Sequence, residues 1–435
     1  MFYISALLLP IFFNLSLTLA IVWVLIFLIV NKKFNLELFL ILLLLIRCFM
    51  FLDTQNLIIG SQFDVCREVF NYRNYNLVFL CNSKDSFISY FPKNSEVKYS
   101  DEVYLIGGKY KFDPERKPYY KSLNVNGVLE FNDYKVLTSK LTFLGEIYNF
   151  KANFKNFVQR NLNDPLSNLF LGILIGDRSG YSKFLTEDLR YVGLTHLVAV
   201  SGMNVLLVLE ILKKITWIFG RRFAFYLNAI FIIFFAYFTS LTTSVLRACL
   251  MALLNLWGEY NFLRLDSLKV LYFSAYALLL INPYFIVYDL SYALSFLATF
   301  ALISVKKTEK IVNNFKLEIQ ANLVSFWFTL PVILFAFKSL PILTVFSNLL
   351  VMIPATLILY LGLLLLVSYL LNFELLSFVI FFLIDLFTTY FFWIVDFTKK
   401  FPVMTLFIDN FMFRIILFLF FCTIFYIFLR KKFIF

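Results

Sequence analysis

The sequence is short of charge, of histidine and of cysteine, and each shortage excludes a class of proteins. Asp, Glu, Lys and Arg make up 15% of its 435 residues, while 61% are hydrophobic. Soluble domains carry roughly 25% charged residues, so a water-facing globule is excluded. The single histidine, His196, cannot build the histidine-rich ligand sets of hydrolytic zinc sites, and no cysteine pair stands at ligand spacing. Neither a metal nor a cofactor is therefore expected. No G-x-x-x-x-G-K-S/T run occurs, so the sequence holds no recognisable nucleotide-driven motor. Of the five cysteines, Cys48, Cys249 and Cys422 sit in apolar runs and read as inert core residues. Cys66 and Cys81 lie in a polar stretch. They would form a disulfide worth about 3 kcal/mol if that stretch faces an oxidising compartment, although spacing alone fixes no geometry.

What is abundant is long apolar sequence. Ser5 to Val30 is long enough to cross a bilayer, and it lacks the basic start and small-residue cleavage site of a signal peptide. Lys32 and Lys33 follow it, which places that end in the cytoplasm, and Leu36 to Leu52 returns. Residues 1–52 thus read as a transmembrane hairpin. Residues 53–146 change character, with alternating runs such as Glu102–Ile106 and Asn126–Phe131 between Gly and Pro turn signals. They predict a small extracytoplasmic β domain, and roughly 90 residues suit an OB-like barrel. Within it, Tyr110, Lys111, Lys117, Tyr119 and Tyr120 interleave rings with bases. That mixture suits stacking on a single nucleic-acid strand, or simply a solvated loop. Residues 147–190 predict amphipathic or re-entrant helices, with Ile147, Phe150, Phe154, Phe157 and Val158 opposite Lys151, Lys155 and Arg160. An interfacial helix and a plain connector both fit.

Residues 191–435 hold nine further apolar runs, near 192–218, 223–240, 244–260, 268–281, 286–304, 319–337, 342–369, 375–396 and 412–430. The fold class is a polytopic α-helical membrane protein of about eleven spans with an inserted β domain. Basic loops fall on one side, as the positive-inside rule asks, with a cytoplasmic C-terminus; Lys399 and Lys400 are the misfit. The formal charge of +12 invites a nucleic-acid reading, but this loop bias supplies a sufficient cause.

The stretch from Leu169 to Asn204 concentrates groups that apolar helices do not need. Gly172, Gly176 and Gly180 stand at four-residue spacing, which predicts close helix packing along a small-residue stripe. Gly176, Asp177 and Arg178 form one polar group, and His196, Ser201, Gly202 and Asn204 form another. Polar groups at membrane depth default to a functional hypothesis. An intramembrane hydrolase would use Ser201 and His196, but five residues apart on one helix they face different ways. They would meet only if the helix breaks near Gly202. No catalytic residue is therefore assigned, and a polar lining is preferred. Further along, Arg247 and Asp289 either tie two helices together or, with Thr242, Thr243 and Ser295, line a hydrophilic path.

These residues resemble a known family. Asp177-Arg178-Ser179-Gly180 and the run Gly193 to Asn204 are similar to the signature of the ComEC competence proteins. Ser244-Val245-Leu246-Arg247-Ala248 with Met251, Asn282-Pro283, Asp289 to Ala298, Leu330-Pro331 and Ser347-Asn348-Leu349-Leu350 with Pro354 agree with later landmarks. The likeness covers roughly 165–355 in register and is looser in the β domain. Many members have histidine where this chain has Asn204. Many also continue into a metallo-β-lactamase-like domain; this sequence stops at Phe435, so a form without that nuclease is expected.

The resemblance implies a multi-pass protein of the cell inner membrane that admits single-stranded DNA during natural transformation. It implies a cytoplasmic helicase or ATPase motor, a periplasmic DNA receptor with a pilus apparatus, and a possible homo-oligomer. An intramembrane hydrolase, and a permease for a small anionic or lipid-linked substrate, are the alternatives.

Overall fold

The computed structural model describes residues 62–72, 74–82, 85–107, 109–111, 120, 123, 125–140, 142–195, 202–239, 241–306, 314–337, 339–341, 344–400 and 405–407. The expected N-terminal hairpin, the run at 412–430, Lys117, Tyr119, His196 and Ser201 lie outside these residues. The chain divides into two compact units, Met1–Ala152 with Tyr272–Tyr292, and Asn153–Leu271 with Ala293–Phe435.

The first unit contains β1 (Gln62–Val65), β2 (Phe70–Asn71), β3 (Tyr75–Cys81), β4 (Ser86–Pro92), β5 (Asp101–Ile106), β6 (Lys109–Lys111), β7 (Gly127–Glu130) and β8 (Asp133–Ser139). The strand order is β6-β7-β4-β3-β1-β5-β8, with β2 on β3. All these pairings are antiparallel except β4 with β7. Only Phe131 and Asn132 separate β7 from β8. One stretch of chain therefore pairs with β4 through β7 and with β5 through β8, so the sheet returns on itself.

Successive strand side chains point to opposite faces, and here both faces are covered. Val78, Leu80 and Phe87 join one apolar cluster with Phe63 and Val103, while Leu77, Phe79 and Ile88 join another with Tyr120 and Val128. This explains why β3 and β4 read as nearly continuous apolar runs rather than alternating ones. Cys66, just after β1, is joined by a disulfide to Cys81 at the end of β3, with Cα atoms 5.9 Å apart.

Helix α1 (Phe143–Asn161) follows. Of its basic residues, Arg160 is exposed, but Lys151 and Lys155 are not. Lys151 is 3% exposed and pairs with Glu68 at 2.8 Å. Lys155 pairs with Asp177 at 2.6 Å. In the second unit, Phe157 of α1 packs against Tyr369 and Phe381. Both lysines are thus engaged within the protein.

The helices that follow are α2 (Leu166–Ile175), α3 (Lys183–Val192), α4 (Gly202–Thr216), α5 (Arg221–Phe238), α6 (Thr243–Tyr260), α7 (Ser267–Ile281), α8 (Phe285–Tyr288), α9 (Leu290–Lys306), α10 (Asn314–Phe337), α11 (Thr344–Leu370) and α12 (Glu374–Lys399). A 3₁₀ turn, Trp217–Phe219, links α4 to α5. Strands β9 (Ser339–Pro341) and β10 (Thr405–Phe407) pair antiparallel. Among the described residues, Arg221–Phe238, Phe346–Leu370 and Glu374–Lys399 are long and apolar enough to cross a membrane. Leu166–Ile175, Ser267–Ile281, Leu290–Ile303 and Asn322–Leu334 are shorter apolar helices. On α12, Leu375, Phe378, Phe382, Leu386 and Trp393 are exposed at helical spacing, an apolar flank suited to lipid.

The predicted glycine stripe is not continuous. Gly176, with φ +75°, ends α2 in the left-handed conformation, and its N–H donates to the Gly172 carbonyl at 3.1 Å. Gly180 lies in the following turn. Close helix approach occurs instead at Gly362 of α11. A Cβ there would stand 2.8 Å from Leu174 and 3.2 Å from Phe170 of α2.

Candidate functional site

The second unit gathers most of the polar residues singled out in the sequence around the ends of α2, α4, α6 and α9. The α2–α3 turn begins where Gly176 stops α2. Asp177 then accepts a hydrogen bond from the Ser179 N–H at 2.8 Å, and its other oxygen accepts from Lys155 Nζ. Burial raises the Asp177 carboxyl, but the Lys155 ammonium and the hydrogen bonds from Lys155 and Ser179 outweigh it. The net effect holds it below the usual carboxylate range. Arg178 donates to the Thr195 carbonyl at 3.4 Å and has no ion pair among the described residues. The Tyr181 hydroxyl is buried with no hydrogen-bond partner among the described residues, and burial pushes this phenol up.

The second cluster is centred on Arg247. This side chain is 7% exposed, yet it has no ion pair among the described residues. Its Nε donates to Ser295 Oγ of α9 at 2.7 Å. Its Nη1 lies 3.5 Å from Met251 Sδ, and the guanidinium stands 5.7 Å from the Phe296 ring. Gly202, the first residue of α4, leaves room for it. A Cβ at Gly202 would meet Arg247 Nη2 at 2.5 Å and Ala248 Cβ at 3.1 Å. Two residues on, Asn204 Nδ2 donates to the Ile173 carbonyl of α2 at 3.2 Å. The arrangement is a buried cation with no ion pair among the described residues, flanked by the Ser295 hydroxyl and by Gly202. Such a group is costly in a low-dielectric interior, and it is suited to holding an anion.

Other residues have structural employment. Asp289 Oδ1 accepts from the N–H groups of Ser291 and Tyr292 at 2.8 and 3.3 Å, capping α9. In the first unit, Tyr110 packs against Phe87 and donates to the Asn126 carbonyl at 3.0 Å. Lys111 pairs with Glu130 at 2.9 Å, and Tyr120 is buried. Tyr72, Tyr90 and Tyr104 are exposed, and Tyr75 is half-buried between the first two. Tyr72 stacks on Tyr75 at 5.1 Å, and Tyr75 meets Tyr90 edge-on at 5.1 Å. Thr242 Oγ1 lies 3.3 Å from Ser244 Oγ at the start of α6.

Sequence reasoning missed Lys155 as the partner of Asp177. It also missed two polar links between apolar helices. Ser347 Oγ donates to the Val192 carbonyl at 3.0 Å, and Asn348 Nδ2 donates to Asn322 Oδ1 at 3.2 Å. A Ser-Asn pair opening a long apolar helix was the available signal. No group of three or more His, Cys, Asp or Glu able to hold a metal occurs among the described residues.

Comparison with known proteins gives a consistent assignment. No solved structure matches the chain. A curated relative, the ComE operon protein 3 of Bacillus subtilis (strain 168), is 26% identical over 206 residues, which are 47% of this chain and 26% of that protein. The match thus spans about a quarter of the relative's length. The family model for the competence protein matches residues 173–433, more than half of the chain, and takes in the α2–α3 turn, Gly202, Asn204, Arg247 and Ser295. With its apolar helices and this match over both polar clusters, the chain is a membrane-associated member of the competence protein family.

Proposed function

We propose that the protein passes single-stranded DNA across the cytoplasmic membrane during natural transformation, as a channel without catalysis of its own. The observation that supports the reading is Arg247, a buried cation inside the family-matched region with no counter-ion among the described residues. A strand with one phosphate per ~3.4 Å places about nine charges across a ~30 Å core. At ~2.5–3.5 kcal/mol per buried charge, crossing dry would cost ~20–30 kcal/mol. One arginine cannot offset that, so the path is hydrated and polar. Arg247 with Ser295 supplies one phosphate station, and Arg178 a second. In this reading Gly176, Gly202 and Asn204 shape the path, His196 and Ser201 line it, and Asp289 acts as a helix cap.

Eleven spans, a cytoplasmic C-terminus and an extracytoplasmic β unit complete the proposed topology. The return of the β sheet through adjacent β7 and β8 supports an OB-like barrel. Because Tyr110 and Tyr120 turn inward, strand stacking in this unit is assigned to Tyr72, Tyr75 and Tyr90. The pull comes from a cytoplasmic ATP-driven motor, and delivery from a periplasmic receptor and pilus. A homo-oligomer is compatible with the exposed apolar flanks. No observation favours the hydrolase or the permease.

The test is uptake of fluorescent DNA in cells lacking the protein, scored separately in periplasm and cytoplasm. DNA should reach the periplasm and stop there. Wild type should restore cytoplasmic entry, and Arg247→Ala, expressed at equal level, should not. Cytoplasmic entry unchanged by the deletion would sink the reading.

A further inference from the structure

The inference concerns the end of the α4–α5–α6 bundle where α4 turns into α5. Trp217, Ile218 and Phe219 form that turn and are 81%, 79% and 62% exposed. Phe262 and Leu263, in the turn after α6, are 81% and 50% exposed. Both turns lie at the same end of the bundle. Lys213 Nζ bonds both Glu259 oxygens at 2.8 and 2.7 Å, and the Arg221 guanidinium lies 3.9 Å from the Phe262 ring centre. The α4–α5 turn is held in place. Thr216 and Asn228 are buried, with Asn228 Nδ2 donating to Thr216 Oγ1 at 3.0 Å. Five large apolar side chains are therefore presented outward by a fixed backbone.

Positive charge surrounds them. Arg221, Arg222, Arg264 and Lys269 are exposed and carry no ion pair among the described residues. Of the acids nearby, Glu259 is paired with Lys213; Asp266 accepts from the Leu268 N–H at 3.0 Å and keeps its charge, so the four cations still outnumber it. From this rim an exposed apolar stripe, Phe223, Tyr226, Ile230 and Ile233, runs along α5 at helical spacing. Apolar turn, unpaired cations and apolar flank thus succeed one another along a single direction.

We propose that this end of the bundle binds the headgroups of anionic phospholipids. Water would leave the five apolar side chains exposed, and a nucleic acid or an acidic peptide would satisfy the cations but leave the α5 stripe uncovered. An anionic membrane interface meets all three requirements, with phosphates at the height of the arginines and acyl chains along α5. The collar would fix the depth of α5 and of the α4 end it joins, and through the Lys213–Glu259 pair between α4 and α6 that of α6, which carries Arg247.

The test uses the full chain in nanodiscs of phosphatidylcholine, with or without phosphatidylglycerol, and contains no DNA. Native mass spectrometry counts retained lipid, and thermal unfolding reports the effect on the fold. Phosphatidylglycerol should be retained in preference to phosphatidylcholine and should raise the Tm. The triple variant Arg222→Ser, Arg264→Ser, Lys269→Ser should weaken that preference about fivefold for each charge removed. The charge-retaining double variant, Arg222→Lys and Arg264→Lys with Lys269 kept, should hold it, which separates loss of charge from loss of fold. Equal retention of both lipids by wild type, or an unchanged preference in the triple serine variant, would overturn the proposal. So would a serine variant that keeps its lipid preference but loses DNA entry in cells, since the collar would then serve a protein partner.

Discussion

At the scale of single residues, Arg247 is where stability and use conflict most. Its charge is buried, its bonds go to a serine hydroxyl and a thioether, and no carboxylate answers it among the described residues. If it serves an anion, an apolar replacement should relieve the fold. Arg247→Met is expected to raise the stability of the purified protein by about 1–2 kcal/mol while cytoplasmic DNA entry falls. A helix tie would show the opposite, with stability lost along with entry. Gly202→Ala tests the same site from the other side. Its Cβ would meet the flexible tip of Arg247, so the side chain should move, the fold should survive and DNA entry should drop. Normal entry in this variant would show that the tip position is unimportant.

The Lys155–Asp177 pair behaves differently, because both charges are answered. Side-chain exposure of 14% and 12% makes it a largely buried pair. Lys155→Met leaves the Asp177 carboxylate uncompensated and should cost about 3 kcal/mol, whereas Lys155→Met with Asp177→Leu should recover most of it. The folded-state carboxyl is depressed. Its contribution is therefore full above the ordinary Asp value of about 3.9 and is lost only as pH falls through the lower folded value. Stability measured from pH 7 to 5 should not report this pair. A loss of stability in wild type across that window, absent in the double variant, would contradict the depressed value.

At the scale of elements, the helices were the most legible part of the sequence. The runs predicted near 223–240, 244–260, 268–281 and 375–396 appear as α5, α6, α7 and α12 within a few residues. Long apolar periodicity leaves few alternatives, since every buried backbone group must be satisfied within the segment. The strands at Glu102–Ile106 and Asn126–Phe131 were visible through alternation and correspond to β5 and β7. Less legible were features set by backbone sign or by distant contacts. The four-residue glycine spacing looked like one helical stripe, but Gly176 takes a positive φ that ends α2. The actual close approach, at Gly362, had no motif. Lys399 looked like a breach of the charge rule, and the structure pairs it with Asp188 at 2.8 Å. Two element-scale measurements follow. Gly362→Leu should destabilise the α2–α11 contact by about 1–3 kcal/mol through overpacking, read as a lowered Tm. Removing the disulfide, which closes a separation of 15 residues, with Cys66→Ser and Cys81→Ser should cost about 3 kcal/mol. Hydrogen exchange across Tyr75–Cys81 in the full chain would then rise, and unchanged exchange would mean the sheet holds without it.

At the scale of the whole molecule, the proposed function depends on direction. In that proposal DNA meets the β unit before the polar clusters, and the motor pulls from the side of the α4–α5 turn. The sequence argument for this rests on lysine and arginine in loops, and the structure adds that Arg222 is exposed beside an aromatic turn. The disulfide in the β unit agrees with an oxidising compartment on the other side. Site-directed thiol labelling decides the point. In a background with Cys48, Cys249 and Cys422 changed to serine, Tyr90→Cys in β4 should react with a membrane-impermeant maleimide in cells whose outer barrier has been opened. Arg222→Cys should react only after the cytoplasmic membrane is permeabilised as well. Both positions are exposed in the structure, so silence at either reports the membrane and not burial. The reverse pattern would put the β unit beside the motor. DNA would then reach the membrane helices without passing Tyr72, Tyr75 and Tyr90, and the stacking role assigned to those rings would have to be withdrawn even if Arg247 proved essential for entry.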